Sequence, residues 1–245
     1  MKIAAILPAA GLGTRMGRGS AERAGTSRKQ FMLLEGSPIL AHTVRKFAAS
    51  GRVREIVIAV RAEDLEWVEA MLAREFPGRC TRAVIGGNSR QQSVENALAA
   101  LEPDTDLVAV HDAVRPFIEL ETIHKVIDEA AETGAAIVGV QPVDTVKQVR
   151  RQGTGRVRVQ ATFKRENFVL AQTPQVFRYG LLTRAFQSAR EDGFIATDEA
   201  SLVERLDVEV SVVPGSDRNI KITKPADMDL ARLFFQEEAA KEARF

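Results

Sequence analysis

Short, almost wholly apolar runs alternate along this chain with segments whose apolar residues recur every three or four positions. That alternation predicts a parallel sheet buried on both faces by helices. Residues 3–7, 56–60, 83–85, 107–110 and 136–140 read as the buried strands. Between them, Leu65, Val68 and Leu72 form one helical stripe, and Val94, Ala97, Leu98 and Leu101 a second. Ile123, Val126, Ile127 and Ala130 form a third, which Gly134 closes as a C-cap. A strand-helix-strand order of this kind predicts right-handed crossovers and a ligand crevice at the carboxyl ends of the strands.

Residues 142–168 break the pattern. Segments 145–149 and 157–163 alternate polar and apolar residues around Gln152-Gly153-Thr154-Gly155, which predicts a hairpin projecting from the sheet. Beyond it lie a predicted helix over 179–190, another opening at Thr197-Asp198, an alternating strand over 208–213 and a strand at Ile220-Lys221-Ile222. Pro225 opens a last helix with a stripe through Met228, Leu230, Leu233 and Phe234. The expectation is one α/β domain over 1–245 with a mostly parallel, Rossmann-like sheet, 142–168 being its arm.

Composition narrows the function classes. With 34 Lys+Arg against 33 Asp+Glu, the 245-residue chain carries a formal charge of +1, so nothing is left over to neutralise a nucleic-acid backbone or hold an anionic membrane. One Trp and one Tyr beside 12 Phe give no stacking platform for single strands. The single cysteine, Cys80, excludes an intrachain disulfide and a multi-thiolate metal site, and fits a reducing, cytoplasmic compartment. No apolar stretch approaches the roughly 20 residues of a membrane helix. Pro8, Gly11 and Arg15 interrupt the apolar start, which reads as a first strand instead of a signal peptide.

Four segments bring polar chemistry to predicted strand ends. Gly11-Leu12-Gly13-Thr14-Arg15-Met16 follows the first strand, where a glycine turn admits phosphate oxygens to backbone N–H groups. It is neither a dinucleotide fingerprint, whose third glycine falls at Met16, nor a Walker A loop, and it reads either as a tight turn with a solvated Arg15 or as part of a cationic loop closing over a polyphosphate. In Gly86-Gly87-Asn88-Ser89, the run Ser89-Arg90-Gln91-Gln92 matches a capping box, which leaves Arg90 and Ser93 without a structural duty. His111-Asp112-Ala113-Val114-Arg115-Pro116 delivers a carboxylate to the crevice; Asp112 either pairs with Arg115 or holds Mg²⁺ with substrate phosphates. Lys221 points away from Ile220 and Ile222, and Thr197-Asp198-Glu199 reads as a helix N-cap with acidic residues at the positive end of the dipole.

Together these segments resemble the 2-C-methyl-D-erythritol 4-phosphate cytidylyltransferase family, nearly end to end. The resemblance rests on Pro8-Ala9-Ala10-Gly11-Leu12-Gly13-Thr14-Arg15-Met16, Lys29-Gln30-Phe31, the stretch from Gly86-Gly87 through Ser93, and His111 through Pro116. Asp144-Thr145, Thr173-Pro174-Gln175, Thr197-Asp198-Glu199-Ala200 and Asn219-Ile220-Lys221 follow in the family's order.

The resemblance implies transfer of CMP from CTP to the 4-phosphate of the methylerythritol acceptor, giving 4-diphosphocytidyl-2-C-methyl-D-erythritol and pyrophosphate. It further implies that Arg15, Lys29 and Lys221 neutralise charge at the reacting phosphates. The backbone of Ala9, Ala10, Gly11, Gly13 and Gly87, with Asn88 and Ser93, would hold the nucleotide. Asp112 would bind Mg²⁺, while Asp112, Arg115, Thr197 and Lys221 would face the acceptor. Thr145 and Arg165 on the arm would reach a partner subunit's site, which makes a homodimer part of the expectation. The chain departs from the family pattern in a longer glycine-rich loop over 17–28, Arg28 where proline is common, Asn88 where Asp is frequent, and Val114 for alanine. Two other readings share these residues: a cytidylyltransferase for another polyol phosphate such as ribitol 5-phosphate, and a nucleotide-binding module without chemistry.

Overall fold

The computed structural model describes residues 1–11, 28–151, 153 and 155–242. The expected roles of Gly13 and Arg15 therefore fall outside the described residues. In chain order the elements are β1 (Ile3–Pro8), the short β2 (Leu33–Leu34) and β3 (Ser37–Pro38), α1 (Ile39–Ala49), β4 (Val53–Val60), α2 (Leu65–Glu75), β5 (Cys80–Ile85), α3 (Arg90–Ala99) and β6 (Leu107–Val110). Next come α4 (Leu120–Thr133), β7 (Ala135–Val140), the hairpin β8 (Val146–Arg151) and β9 (Val157–Phe163), β10 (Leu170–Arg178), α5 (Tyr179–Glu191), α6 (Glu199–Glu204), β11 (Ser211–Pro214) and α7 (Pro225–Glu242).

Seven strands form one sheet in the order β11-β7-β10-β6-β1-β4-β5. Every neighbouring pair is parallel except those of β10, which runs antiparallel to β6 and β7. The expected mostly parallel sheet is present, and the apolar runs mark its central strands because both faces are covered. Ile3, Ala5 and Leu7 of β1 pack with α1, α2 and α4, whereas Ala4 and Ile6 pack with α3, α5 and α6. Gly134 caps α4 at φ +97, in the left-handed region where a Cβ is penalised.

Several expectations need correction. The second half of the sequence hides β10, because Gln172, Thr173, Pro174 and Gln175 do not look like a central strand. Its ladder to β7 jumps from Ala171↔Gly139 to Gln175↔Ile137, so Pro174 is never asked for an N–H. Ile220-Lys221-Ile222 is not a strand but irregular backbone, and the strand expected over 208–213 is confined to Ser211–Pro214. In α7 the buried positions are Met228 and Ala231 with Phe234 and Phe235 against them, while Leu230 and Leu233 face solvent. The α1 helix, with Ile39, Leu40, Val44 and Phe47 buried, was not anticipated.

The hairpin expected within 142–168 is present and forms its own two-stranded sheet. Among the described residues, no helix is long and apolar enough to cross a membrane.

Candidate active site

The carboxyl ends of β1, β5 and β6 open on one pocket of about 580 Å³, lined among others by Ala9, Ala10, Gly11, Lys29, Gly87, Asn88, Ser93, Asp112 and Lys221. Residues spread over more than two hundred positions of sequence thus meet where a parallel sheet places its ligands.

On one side lies the glycine turn. A Cβ at Gly87 would sit 2.2 Å from Gln92 Cγ, and one at Gly86 would meet Ala10 Cβ at 2.9 Å, so these positions admit only glycine without rearrangement. Ser89 Oγ accepts the Gln92 N–H at 3.0 Å and caps α3. The capping box is displaced by one residue, because Gln92 Oε1 takes the N–H of Asn88, not that of Ser89. The Ser93 hydroxyl, buried in the turn, accepts from Gly87 N–H and donates to the Ser89 carbonyl. Gln30 Nε2 donates to the carbonyls of Ala9 (2.6 Å) and Gly11 (3.2 Å), which sets Lys29 beside the end of β1. Arg28 joins Glu63 and Asp64 before α2 and so fixes the chain entering this side.

On the other side lies Asp112, 6% exposed at the end of β6. Lys221 Nζ stands 2.9 Å and Arg115 Nε 3.3 Å from its Oδ2, and Arg90 Nε 3.4 Å from its Oδ1. Burial works against the carboxylate, but Lys221, Arg90 and Arg115 more than offset it and hold its pKa well below the ordinary range. The pair expected with Arg115 is present, but it is one of three.

Polar groups behind Asp112 fix its direction. Its backbone N–H donates to Thr173 Oγ1 (3.0 Å), and that oxygen lies 3.0 Å from His111 Nδ1. His111 Nε2 lies 3.0 Å from the Arg115 carbonyl, which can only accept, so the proton is assigned to Nε2 and Thr173 donates to Nδ1. Burial lowers the His111 pKa to about 4, which keeps the ring neutral. Asn219 Nδ2 donates to Thr173 O and Gln172 Oε1, and Arg115 donates to the Asn219 carbonyl at 2.6 Å. Ile222 N–H donates to Val114 O, and its side chain is fully buried, which is worth about 1.5–3 kcal/mol for such a residue. Lys221 is thus held between two anchors without belonging to a strand.

Sequence reading missed Arg90 and Glu199 as a pair. Arg90 is bidentate to the buried Glu199 at 2.6 and 2.9 Å, so Glu199 is not simply an acid at a helix start; Asp198 is the α6 N-cap, accepting Ser201 N–H. The only hint was that the cap did not need Arg90. Thr197 is exposed beside that cap. Thr145 and the exposed Arg165 lie on the arm and do not line this pocket; Arg165 donates to Val143 O.

A metal must suit the donors present. Among the described residues no cluster of three His, Cys, Asp or Glu could hold one. A lone carboxylate whose Oδ1 has only a 3.4 Å contact suits a hard cation that takes its remaining ligands from phosphates, and not a cage made by protein alone.

A doubly covered parallel sheet with a glycine turn, converging cations and one carboxylate at its carboxyl edge is the arrangement of a nucleotidyltransferase. The model of the 2-C-methyl-D-erythritol 4-phosphate cytidylyltransferase family matches residues 3–237, and the chain belongs to that family. A protein of that name from Solibacter usitatus is 76% identical over 241 residues, covering 98% of each chain, and one from Acidobacterium capsulatum is 50% identical over 242 residues, covering 98% of this chain and all of that one. Among solved structures, the 4-diphosphocytidyl-2C-methyl-D-erythritol synthase of Anaerococcus prevotii matches with a TM-score of 0.80 at 30% identity, covering 96% of this chain and 98% of that one. The 2-C-methyl-D-erythritol 4-phosphate cytidylyltransferase of Thermus thermophilus matches with a TM-score of 0.74 at 31% identity, with the same coverage. As a member, the chain is an enzyme of isoprenoid biosynthesis that transfers a cytidylyl group from CTP to 2-C-methyl-D-erythritol 4-phosphate.

Proposed function

We propose that the pocket at the ends of β1, β5 and β6 carries this transfer, with the nucleotide over the glycine turn and the acceptor over Asp112. The observation that supports the division is the contrast between a turn offering backbone groups and a carboxylate ringed by Lys221, Arg115 and Arg90. An oxygen of the acceptor's phosphate attacks the α-phosphorus of CTP. A new P–O bond forms as the bond to the β-phosphate breaks, and pyrophosphate leaves. The attacking oxygen is already anionic, so no general base is required.

Such chemistry is governed by positioning and charge stabilisation. Lys29, with Arg15, neutralises the departing pyrophosphate, and Lys221 moves its charge between Asp112 and the reacting phosphates. Arg115 and Thr197 face the acceptor. The backbone of Ala9, Ala10, Gly11 and Gly87, with Asn88 and Ser93, frames the cytosine and ribose. Asp112 would hold Mg²⁺, which when bound supplies charge neutralisation at the phosphates.

We read the whole chain, 1–245, as one catalytic domain and the arm over 142–168 as a dimerisation element. Exposed Val149, Val157, Val159 and Phe163 on it are apolar surface that a second copy would cover, bringing Thr145 and Arg165 to that copy's pocket. The cytoplasm is the compartment that suits a chain with one thiol and soluble substrates.

The test is pyrophosphate release with CTP and Mg²⁺ in parallel samples containing methylerythritol 4-phosphate, ribitol 5-phosphate or no acceptor. Release with the first alone is expected. Release with ribitol 5-phosphate alone would keep the mechanism and change the substrate, and silence in a folded protein that binds CTP would leave a binding module.

A further inference from the structure

Arg90 starts α3, the helix that the glycine turn feeds, yet its guanidinium faces two carboxylates belonging to other parts of the site. One edge is taken up by Glu199, the first residue of α6 and two residues from Thr197; its Nε is turned to Asp112. Glu199 is 1% exposed and Asp112 6%; Arg90 is the cation paired with Glu199 and one of three around Asp112. Burial disfavours the charge on Arg90, but Glu199 and Asp112 more than compensate and hold it protonated at any working pH. A lysine has one compact ammonium and cannot span both partners, whereas the planar fork of arginine can.

Arg90 thus makes polar side-chain contacts with both Asp112 and the first residue of α6. Gln175 anchors α6 through Asp198 and the Ala200 N–H, and Lys221 and Arg115 reach Asp112 from the opposite segment without touching α6. We propose that Arg90 is a positioning residue that joins the nucleotide turn to the acceptor side, fixing the Asp112 carboxylate and the α6 N-terminus as one unit through Glu199. In that role it lines the pocket and sets the distance between the two halves across which the phosphate must attack. A misplacement of such a frame costs rate and acceptor binding more than nucleotide binding.

The inference rests on the transfer reaction proposed above, and the experiment separates the two. Arg90→Lys, Glu199→Gln and the double variant are compared with wild-type protein for kcat, the KM of each substrate, CTP affinity by calorimetry with Mg²⁺, and Tm. Each single change is expected to lower kcat roughly tenfold and raise the acceptor KM roughly fivefold or more, with CTP affinity held within about twofold. The double variant should be no worse than the weaker single, since both remove one coupling. Glu199→Asp, which keeps the charge, provides a second route if Glu199→Gln does not fold. Parallel losses in CTP and acceptor binding, additive effects, or a lowered Tm with unaltered kinetics would overturn the positioning role. Wild-type protein inactive with every acceptor would instead remove the reaction itself.

Discussion

The crevice and the arm solve opposite problems. Around Asp112 the side chains of His111, Thr173, Gln175 and Asn219 are buried in the sheet, each with at least one partner 2.8 to 3.0 Å away. On the arm, the side chains of Arg150, Arg151, Arg156, Arg158 and Lys164 have no hydrogen-bond or ion-pair partner among the described residues, and Arg150 lies directly opposite Arg158. Like charges across a strand pair are unfavourable, and so are exposed valines beside them. The crevice residues satisfy one another within one chain, while the arm leaves apolar and cationic side chains exposed.

The largest effect should come from the crevice. Asp112→Asn, which keeps the shape but removes the charge that Lys221, Arg115 and Arg90 surround, should cut turnover roughly 10³-fold, about 4 kcal/mol. Pyrophosphate release near the wild-type rate in a folded variant would remove Asp112 from the chemistry.

Burial also makes the crevice sensitive to acid. His111 has an ordinary pKa of 6.5 and a folded value of about 4. Its contribution is therefore full above pH 6.5 and is lost as pH falls toward 4, where the unfolded chain takes up a proton that the fold does not. The loss is about 3 kcal/mol. Chemical denaturation across that range should show the slope, and His111→Gln should flatten it; an equal slope in the variant would assign the proton elsewhere.

Smaller effects discriminate between arm and crevice. Arg165→Ala should lower activity roughly thirtyfold, about 2 kcal/mol, if it meets a substrate phosphate, and leave Tm unchanged because it is exposed. Equal fall in Tm and activity would make it a structural residue. Ser89→Ala should cost about 1 kcal/mol of stability through the lost α3 cap. Arg150→Thr should raise stability by a few tenths of a kcal/mol by relieving the pair with Arg158, and a melting curve that moves down would show that the guanidinium has a partner.

Most of the layered sheet was legible because parallel strands covered on both faces must be apolar, as in β1, β6 and β7. Legibility failed where burial is polar. β10 carries Gln172, Thr173 and Gln175 into the interior, where Ser216, Asp112 and Asp198 satisfy them, and no periodicity announces such partners. Lys221 stands out by its charge but not by its local structure, since Ile220 and Ile222 alternate like a strand while the segment is held by Asn219 and Val114. Arg90 and Glu199 stand 109 residues apart, and only the fold brings them together. The hairpin's outline is readable from its turn residues, whereas nothing in its sequence accounts for the valines it exposes.

The central proposal, that the crevice of one chain is served by the arm of another, is tested most directly by mixing two crippled variants. Asp112→Asn and Arg165→Ala proteins are each purified, exchanged under conditions that allow subunits to re-pair, and assayed for pyrophosphate release. Random re-pairing makes heterodimers in which one of the two sites has both a native crevice and a native arm, so roughly a quarter of wild-type activity should return. Activity no higher than the average of the separate variants, in a mixture shown to contain heterodimers, would contradict it.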